Sequence, residues 1–348
     1  MWSKIREIQL LADKASRHYG QLRLILFIRI VYFRFRYSFW ITEIPVYDLL
    51  GKGPNPFTGG AGLSTRNVAR WLHRLNPPSA KRGIEQKVYF HARCERLGIP
   101  VPRVYATGIP TPELIDQLPD RFLVKPACGA GGGFGVSAFT RQGTEFREWD
   151  GHLHGRDELV RHLARHTGGG ELLFQEWLVN HAAIQPLSST ALLTLRIGTI
   201  NHPATATGPD VLFAYLKVPS GNVLTDNVHL GCNGEARIEL DWETGRPLAA
   251  WLNHPSGFGV IARDRIDRPE RVLLEQLQMP DWERVRELVG RLIQHFPDLP
   301  SVGWDIALSD RGPVVIEGNP AWGIPTIPSV LPRIAGMMER IGPLREAT

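Results

Sequence analysis

The sequence VGWDIALSDRGPVVIEGN, residues 302–319, consists of two apolar runs separated by Asp-Arg-Gly. Two such runs around a short turn that contains glycine predict a β-hairpin. We expect a three-residue loop, 310–312, in which Gly312 takes a left-handed conformation and Ser309 pairs with Pro313. The register of the whole hairpin follows from that pairing.

In this register Asp305 lies directly opposite Glu317, and Asn319 shares their face because side chains alternate along a strand. Two facing carboxylates repel each other unless a cation lies between them. Carboxylate and amide oxygens are ligands that Mg²⁺ prefers, with phosphate oxygens and water completing its shell. The alternative is a surface hairpin with unrelated acidic residues, which the apolar neighbours of these residues disfavour. The hairpin therefore predicts a magnesium site made by Asp305, Glu317 and Asn319.

A glycine-rich segment, VKPACGAGGGFGV at 124–136, lies between two predicted strands. Backbone N–H groups in such a segment can surround phosphate oxygens, and Lys125 adds a point charge. No Gly-Lys-Ser/Thr closes the segment and no helix follows it, so it is neither a Walker A loop nor a dinucleotide fingerprint. The pattern alone fits the flexible tip of a hairpin equally well. The glycines assigned to phosphate binding are Gly129, Gly131, Gly132 and Gly133.

Two further polar positions lie in predicted strands. A strand that contains Gln175 and Glu176, followed by Trp177 and Leu178, can present its backbone to an adenine edge, but in isolation it is only a strand with a polar pair. Arg196 lies within a run of β-branched residues. Arginine is suited to bidentate binding of phosphate or carboxylate, and an exposed arginine on an edge strand explains the same pattern. Both alternatives stay open on the residues alone.

The composition is that of a globular protein. The 348 residues are 43% hydrophobic and 22% charged, with a formal net charge of +5. No run of Lys and Arg suggests a nucleic-acid arm, and no Cys/His spacing suggests zinc. Three scattered cysteines are too few for a disulfide framework, which favours a reducing compartment and a cytoplasmic location.

The N-terminal 50 residues read as amphipathic helices. Residues 22–40 are rich in Ile, Phe, Tyr and Trp, but four arginines interrupt them. Arginines inside a bilayer are costly, so this segment is not expected to cross one. We expect it to pack on its own protein with the arginines outward. A peripheral membrane or partner contact through residues 1–50 is the less favoured alternative.

The rest of the chain predicts an α+β fold with antiparallel hairpins instead of regular βαβ alternation. Helices are predicted over 156–166 and 282–295, and strands over 191–200, 211–218 and 236–240. The expected division is a helical N-terminal extension at 1–60, an N-terminal subdomain at 61–120, a small subdomain with the glycine loop at 121–180, and a C-terminal subdomain with the metal site at 181–348.

These motifs follow the order found in ATP-grasp enzymes: a Lys-Pro glycine loop, a Gln-Glu-x-Leu stretch and a late Asp…Glu-x-Asn hairpin. More narrowly, the chain resembles the sugar-transfer associated ATP-grasp family, which is related to the α-L-glutamate ligases. The resemblance covers about residues 60–330. The residues that carry it are Lys87, Gly98 to Pro102, Lys125-Pro126, Gln175-Glu176, Thr194 to Arg196, Asp226-Asn227, Gly231, Thr244-Gly245, His254-Pro255, Gly303 to Asp305, Gly312-Pro313 and Glu317 to Asn319.

The resemblance implies an ATP-grasp fold, in which two α+β subdomains grip ATP, and it implies ATP and Mg²⁺ as cofactors. It assigns phosphate binding to Lys87 and Lys125, adenine contact to Gln175 through Leu178, and magnesium to Asp305, Glu317 and Asn319. By the same resemblance Arg196 and Lys125 are the expected catalytic residues, and Arg196, Asp226 and Asn227 the expected substrate-binding residues. Cys232 follows Gly231 where a Gly-Gly pair is expected.

The function that this resemblance implies is an ADP-forming carboxylate–amine ligase acting on small-molecule carboxylate and amine substrates, with no nucleic acid partner. The first alternative is a small-molecule kinase on the same fold, which would phosphorylate a hydroxyl. The second is a nucleotide-binding accessory protein of polysaccharide assembly. A complete Asp/Glu/Asn set argues against the second, because a pure binding module has no need of metal ligands.

Overall fold

The computed structural model describes residues 2–53, 55–58, 62–127, 135–166, 170–203, 205, 209–226, 234–267 and 270–342. Its helices are α1 (Trp2–Tyr19), α2 (Arg23–Arg36), α3 (Glu43–Val46), α4 (Thr65–Leu75), α5 (Pro78–Glu85), α6 (Lys87–Arg96), α7 (Pro112–Asp116), α8 (Arg156–His166), α9 (Trp282–His295) and α10 (Leu331–Ile341).

The strands are β1 (Val104–Gly108), β2 (Arg121–Pro126), β3 (Ser137–Gln142), β4 (Glu145–Glu148), β5 (Leu153–Gly155), β6 (Leu172–Gln175), β7 (Thr194–Ile200), β8 (Asp210–Val218), β9 (Ala236–Leu240), β10 (Pro247–Asn253), β11 (Val260–Arg263), β12 (Arg265–Ile266), β13 (Val272–Leu273), β14 (Ser301–Ser309) and β15 (Gly312–Asn319). The predicted helices at 156–166 and 282–295 are confirmed as α8 and α9.

The strands form two main sheets, and every strand pair within them is antiparallel. The small sheet has the order β1-β6-β2-β3-β4-β5 and the large sheet the order β11-β10-β9-β8-β7-β14-β15. Strands β12 and β13 form a separate pair. The α+β class is therefore confirmed. The division of the chain at 60, 120 and 180 stays a prediction.

Each sheet has its own core because its apolar residues need a covering layer. The small sheet packs Phe122, Phe139 and Phe174 against α8 through Leu159 and Leu163. The apolar side of α9 comes from residues three and four apart, which share a helix face. That side covers one face of the large sheet.

The opposite face of the large sheet is covered by the N-terminal helices. Buried residues of α1 and α2, such as Ala12, Leu26 and Ile30, belong to the same cluster as Phe213 of β8 and Trp322. The described part of this region, residues 2–50, therefore packs on the protein, as predicted, and lies on one particular face of the large sheet. That face also carries the polar residues described next.

Candidate active site

A row of polar side chains crosses one face of the large sheet. Register partners on neighbouring strands place Glu317 of β15 beside Asp305 of β14, Asp305 beside Arg196 of β7, Arg196 beside Tyr215 of β8, and Tyr215 beside Glu239 of β9. Directly opposite residues share a face of a sheet. Residues from five strands are thus aligned in a single row, although they are far apart in the sequence.

The turn of the β14–β15 hairpin differs from its prediction. Its loop has two residues, Asp310 and Arg311, and Ser309 pairs with Gly312 where the sequence predicted Pro313. The Ser309 hydroxyl donates to the Gly312 carbonyl at 2.7 Å. Gly312 does have the predicted positive φ, +103°. The expected three-residue loop is therefore wrong, and the strands close one residue nearer the turn.

The pairing of Asp305 with Glu317 is nevertheless confirmed, because a bulge next to Asp305 adds one residue to β15. Ile306 pairs with Val315, so Ile316 is the added residue. The Val315 N–H donates to the Pro100 carbonyl at 2.9 Å, so its hydrogen bond leaves the hairpin. Bulges of this kind re-aim side chains next to functional sites.

Asp305 is held by two cations. The Arg196 guanidinium donates to both carboxylate oxygens, at 2.6 Å from Nε and 2.9 Å from the second nitrogen. Lys217 Nζ lies 3.4 Å from Asp305 Oδ1. Burial alone would raise the pKa of the Asp305 carboxyl, but Arg196 and Lys217 hold it well below its usual range. Asp305 is therefore ionised at any ordinary pH, and Arg196 lies beside a predicted metal ligand.

Lys217 is a site residue that the sequence reasoning missed. It is buried in β8 and lies 3.2 Å from Asp226 Oδ1, so it bridges Asp226 and Asp305. Asp226 also accepts hydrogen bonds from the Thr194 backbone and hydroxyl, at 2.7 and 2.6 Å. The signal that could have identified it is its position as a single lysine within the apolar run of 211–218.

Asp226 contacts Lys217 and Thr194, and it thereby orients the Lys217 ammonium group next to Asp305. Asn227, its predicted partner in substrate binding, lies outside the described residues, as do Gly231 and Cys232. The substrate-binding assignment of Asp226 and Asn227 stays a prediction.

Glu317 and Asn319 complete the predicted metal set. The Asn319 amide nitrogen donates to Glu317 Oε1 at 3.1 Å and to Asp305 Oδ2 at 3.4 Å, so a donor already lies between the two carboxylates. Burial raises the pKa of Glu317, and the nearby Asp305 carboxylate raises it further. A bound cation would relieve this repulsion. The oxygen atoms of this set are ligands that suit Mg²⁺. The place between the two carboxylates, where the Asn319 amide N–H now lies, is where a cation would bind.

The two predicted phosphate-binding lysines meet at the base of the glycine-rich segment. Lys125 is buried near the end of β2, and Lys87 Nζ donates to the Pro126 carbonyl at 3.4 Å. A Cβ placed on Gly135 would lie 3.0 Å from Pro126 Cγ, so the far end of the segment returns to the same place. The assigned phosphate-binding glycines, Gly129, Gly131, Gly132 and Gly133, lie outside the described residues.

Lys125 has an unusual pKa for a lysine. Its pKa is lowered to about 8, mainly by burial and also by the Lys87 charge, while the Glu317 carboxylate partly offsets both. Among the predicted metal ligands, Glu317 is the one whose charge acts on Lys125. The structure therefore brings Lys87, Lys125, Arg196 and the carboxylates into one region.

His91 is a second residue that the sequence reasoning missed. It lies one turn after Lys87 in α6 and is 1% exposed. Burial, followed by the charge of Lys125, lowers its pKa to about 3, and backbone groups of Pro102 and Ile316 only partly offset this. His91 is thus a neutral imidazole beside the two lysines. No motif in the sequence pointed to it.

The predicted adenine-contacting stretch connects the two sheets. Gln175 is buried at the end of β6, where it pairs with both β1 and β2. The Glu176 carboxylate accepts from Arg311 at 2.8 Å and from the Arg103 N–H at 3.0 Å. Leu178 packs on Ala307 and Val314 of the β14–β15 hairpin.

Trp177 is covered by Arg121, whose guanidinium carbon lies 4.6 Å from the ring centroid. The stretch 175–178 therefore runs from the small sheet to the metal-binding hairpin. Its backbone is in the right region to contact a nucleotide that also reaches Lys125, and its role in adenine binding stays a prediction.

A comparison with protein families matches residues 66–338 to the sugar-transfer associated ATP-grasp family. The chain belongs to this family. The match covers the polar row, both lysines and the hairpin, and begins after α1, α2 and α3. The ATP-grasp fold that the sequence predicted is confirmed with it.

Several solved structures resemble this ATP-grasp protein at low sequence identity. D-alanyl-alanine synthetase A from Vibrio cholerae is 13% identical, with a TM-score of 0.45 over 75% of this chain and 62% of its own. D-alanine–D-alanine ligase from Helicobacter pylori is 13% identical, with a TM-score of 0.42 over 75% and 63%. L-amino acid ligase from Bacillus licheniformis is 13% identical, with a TM-score of 0.40 over 70% and 42%.

The chain thus spans under two thirds of the length of each of these three proteins. A comparison with curated proteins gave no match.

Proposed function

We propose that this ATP-grasp protein is an ADP-forming carboxylate–amine ligase. The observation that carries the proposal is the effect of Glu317, the register partner of Asp305, on the buried Lys125, in a chain that belongs to an ATP-grasp family. The lysines at the base of the glycine-rich segment can bind the phosphates of ATP. The carboxylates of the hairpin can bind the Mg²⁺ that accompanies the same triphosphate.

Lys87 and Lys125 would bind the phosphates of ATP, since both ammonium groups lie at the start of the glycine-rich segment. Asp305, Glu317 and Asn319 would hold Mg²⁺, which when bound neutralises charge on the transferred phosphoryl group. Arg196 would keep Asp305 ionised and orient its carboxylate through two hydrogen bonds. These residues bind and position, so no covalent nucleophile is required from the protein.

In the proposed reaction a substrate carboxylate oxygen forms a bond to the γ-phosphorus, and the bond from that phosphorus to the oxygen of ADP breaks. An amine nitrogen then bonds to the carbonyl carbon of the acyl phosphate, inorganic phosphate leaves, and the nitrogen loses a proton. Both steps develop negative charge on phosphate oxygens next to Lys125. The charges therefore favour cleavage between the β- and γ-phosphates.

The test is product analysis with a panel of acids and amines. A ligase releases ADP, and hydroxylamine added with ATP and the correct acid traps the acyl phosphate as a hydroxamate without any amine. A small-molecule kinase also releases ADP but yields a stable phosphate ester and no hydroxamate. AMP with pyrophosphate as the main products would contradict both. Nucleotide binding without turnover of any pair would favour the accessory role.

A further inference from the structure

A cluster of two histidines and a glutamate lies in the small sheet, away from the polar row of the large sheet. Glu148 ends β4, His154 is in β5 and His162 is in α8. His154 Nε2 lies 2.8 Å and His162 Nε2 lies 3.4 Å from the same oxygen, Glu148 Oε2. One ligand atom of each residue lies within 4.8 Å of the other two. We propose that this cluster binds a zinc ion.

The spacing of the ligand atoms is close to that of a zinc site. Zinc binds His nitrogen and carboxylate oxygen at about 2.0–2.2 Å in a tetrahedron, so neighbouring ligand atoms are roughly 3.4 Å apart. The His162–Glu148 distance already has this value, and the His154–Glu148 distance needs to open by about half an ångström. Two imidazoles and one carboxylate leave a fourth position for water.

The surroundings of the cluster support a built site. The Ser137 hydroxyl donates to Oε1 of Glu148, the carboxylate oxygen that the histidines do not share, and a partner of this kind orients a metal-binding carboxylate. Glu148 and His154 are buried, and His154 Nδ1 has no hydrogen-bond partner among the described residues. Of the two ring nitrogens of His154, Nε2, which faces the cluster, is the one with a polar partner among the described residues.

This zinc would be distinct in kind from the proposed magnesium. Nitrogen donors favour zinc, whereas the oxygen donors of Asp305, Glu317 and Asn319 favour Mg²⁺. Zinc would fasten β4, β5 and α8 together. Ser137 is the first residue of β3, so its hydrogen bond links the cluster to the strand that follows the glycine-rich segment. The site would thus brace the subdomain that holds this segment.

Metal content and zinc titration of the full-length protein test the proposal. The protein is stripped with EDTA and titrated with zinc chloride in excess Mg²⁺, which occupies the oxygen-rich hairpin site. We expect one zinc per chain and a higher melting temperature on zinc addition. Ser137→Ala should weaken binding about 10- to 100-fold, and His154→Gln or His162→Gln at least as much. Cobalt(II) in the site should give the visible spectrum of a four-coordinate ion.

His152→Gln is the matched control, because His152 is a nearby exposed histidine that pairs with Asp150. It should bind zinc as the unaltered protein does. If His154→Gln does not fold, His162→Gln at its less buried helix position gives the same readout. Failure to bind zinc, or equal binding by the His162→Gln and His152→Gln variants, would overturn the proposal.

A second, independent observation concerns the outer face of α2. Leu24, Ile28, Tyr32 and Phe35 are three or four residues apart, so they form one stripe along the helix. They are 51–78% exposed, while Leu26, Ile30 and Phe33 on the opposite side are buried. The stripe is thus an apolar surface of the N-terminal region that the protein leaves uncovered.

Arginines border this α2 stripe, and α2 has no acidic residue. The guanidinium groups of Arg34 and Arg36 lie over the rings of Trp40 and Tyr37, at 5.6 and 5.0 Å. Two other arginines are used within the protein. Arg23 pairs with Asp13 at 2.7 Å, and Arg29 donates to carbonyls of 49–51. The prediction that the arginines point outward is therefore wrong for Arg29, which needs to satisfy those carbonyls.

We infer that the α2 stripe lies on an anionic lipid surface. No described helix has the length and apolar character needed to cross a bilayer. An apolar stripe bordered by arginines, with aromatic side chains at its edge, suits a helix that lies flat at the headgroup boundary. The buried side of α2 would keep the rest of the protein attached to this helix.

Vesicle flotation tests this inference. We expect binding to vesicles that contain phosphatidylglycerol, much weaker binding to phosphatidylcholine alone, and release at high salt. The double variant Ile28→Ser/Phe35→Ser should lower the affinity by about 10-fold for each side chain. Leu248→Ser in β10 is the control, since Leu248 is also exposed, at 47%. Binding that the double variant leaves unchanged, or self-association that it abolishes without any vesicle binding, would overturn the inference.

Discussion

Asp305 lies directly opposite Glu317 even though the strands on the turn side of this pair are offset by one residue from the predicted register. The bulge at Ile316 restores the pairing, and Val315 bonds to Pro100 outside the hairpin. The facing carboxylates are thus set by the combination of turn, bulge and an outside contact.

Removing one carboxylate of this pair should abolish turnover. Glu317→Gln should lower the rate of ADP release at least 100-fold, because the amide lacks the negative charge with which a carboxylate binds Mg²⁺ more tightly. Asp305→Asn should do the same but also lower stability by about 3–5 kcal/mol, since it leaves Arg196 and Lys217 buried without their shared partner. Steady-state rates and thermal unfolding measure the two effects separately.

Asp310→Asn is the control for this prediction, because Asp310 lies in the exposed turn of the same hairpin. It should leave both rate and stability close to normal. Near-normal activity of Glu317→Gln in Mg²⁺ would remove Glu317 from the metal site.

Nucleotide affinity should fall as the pH rises through about 8. The pKa of Lys125 is lowered to about 8 by burial, so the free protein loses the ammonium charge above that pH. Bound phosphate favours the charged form, and binding at pH 9 should therefore take up a proton. Calorimetry in buffers of different ionisation enthalpy measures this uptake. Lys125→Met should bind ATP about 10- to 100-fold more weakly and show no proton uptake from this site.

The exposed residue Lys52 offers a matched control, and Lys52→Met should keep the pH dependence. A proton uptake that survives in Lys125→Met would assign it to another group.

Stability should decrease in mild acid because of His91. Its pKa is about 3 in the folded protein, and an unfolded histidine has a pKa near 6.5. The unfolded chain therefore binds the proton first as the pH falls below 6.5, and the free energy of unfolding decreases by ~1.4 kcal/mol per pH unit toward pH 3. Urea unfolding between pH 7 and pH 5 measures the slope.

His91→Gln should flatten this slope, whatever its effect on stability at pH 7, because glutamine does not titrate. His18→Gln, at an exposed histidine, should leave the slope unchanged. Equal slopes in the two variants would show that His91 is not the group responsible.

Hydrogen exchange should respond to nucleotide in residues 129–135. We expect the backbone amides of this segment to exchange more slowly when an ATP analogue and Mg²⁺ are present, because amides that bind phosphate are protected. Mass spectrometry of peptic fragments gives the measurement. Unchanged exchange here, with the analogue bound, would exclude this segment from the nucleotide site.

The sequence by itself determined the local elements and which of their residues share a face. The apolar spacing of α8 and α9 gave their bounds. Alternation along the two adjacent strands placed Asp305 and Glu317 on one face, whereas their direct pairing depended on the bulge at Ile316. Such patterns depend on the periods of a helix and a strand, which a short stretch of sequence displays in full.

Only the tertiary structure decided which distant charges meet. The sheet order puts β7 between β14 and β8. Arg196 therefore donates hydrogen bonds to the carboxylate of Asp305, 109 residues away, and Lys217 lies next to the same carboxylate. The loop length of the β14–β15 hairpin and the inward turn of Arg29 were likewise set by contacts from elsewhere in the chain. Periodicity identifies the buried face of an element but not its partner. Strand order is fixed only when the whole chain packs, and only then do buried polar groups find their hydrogen-bond partners.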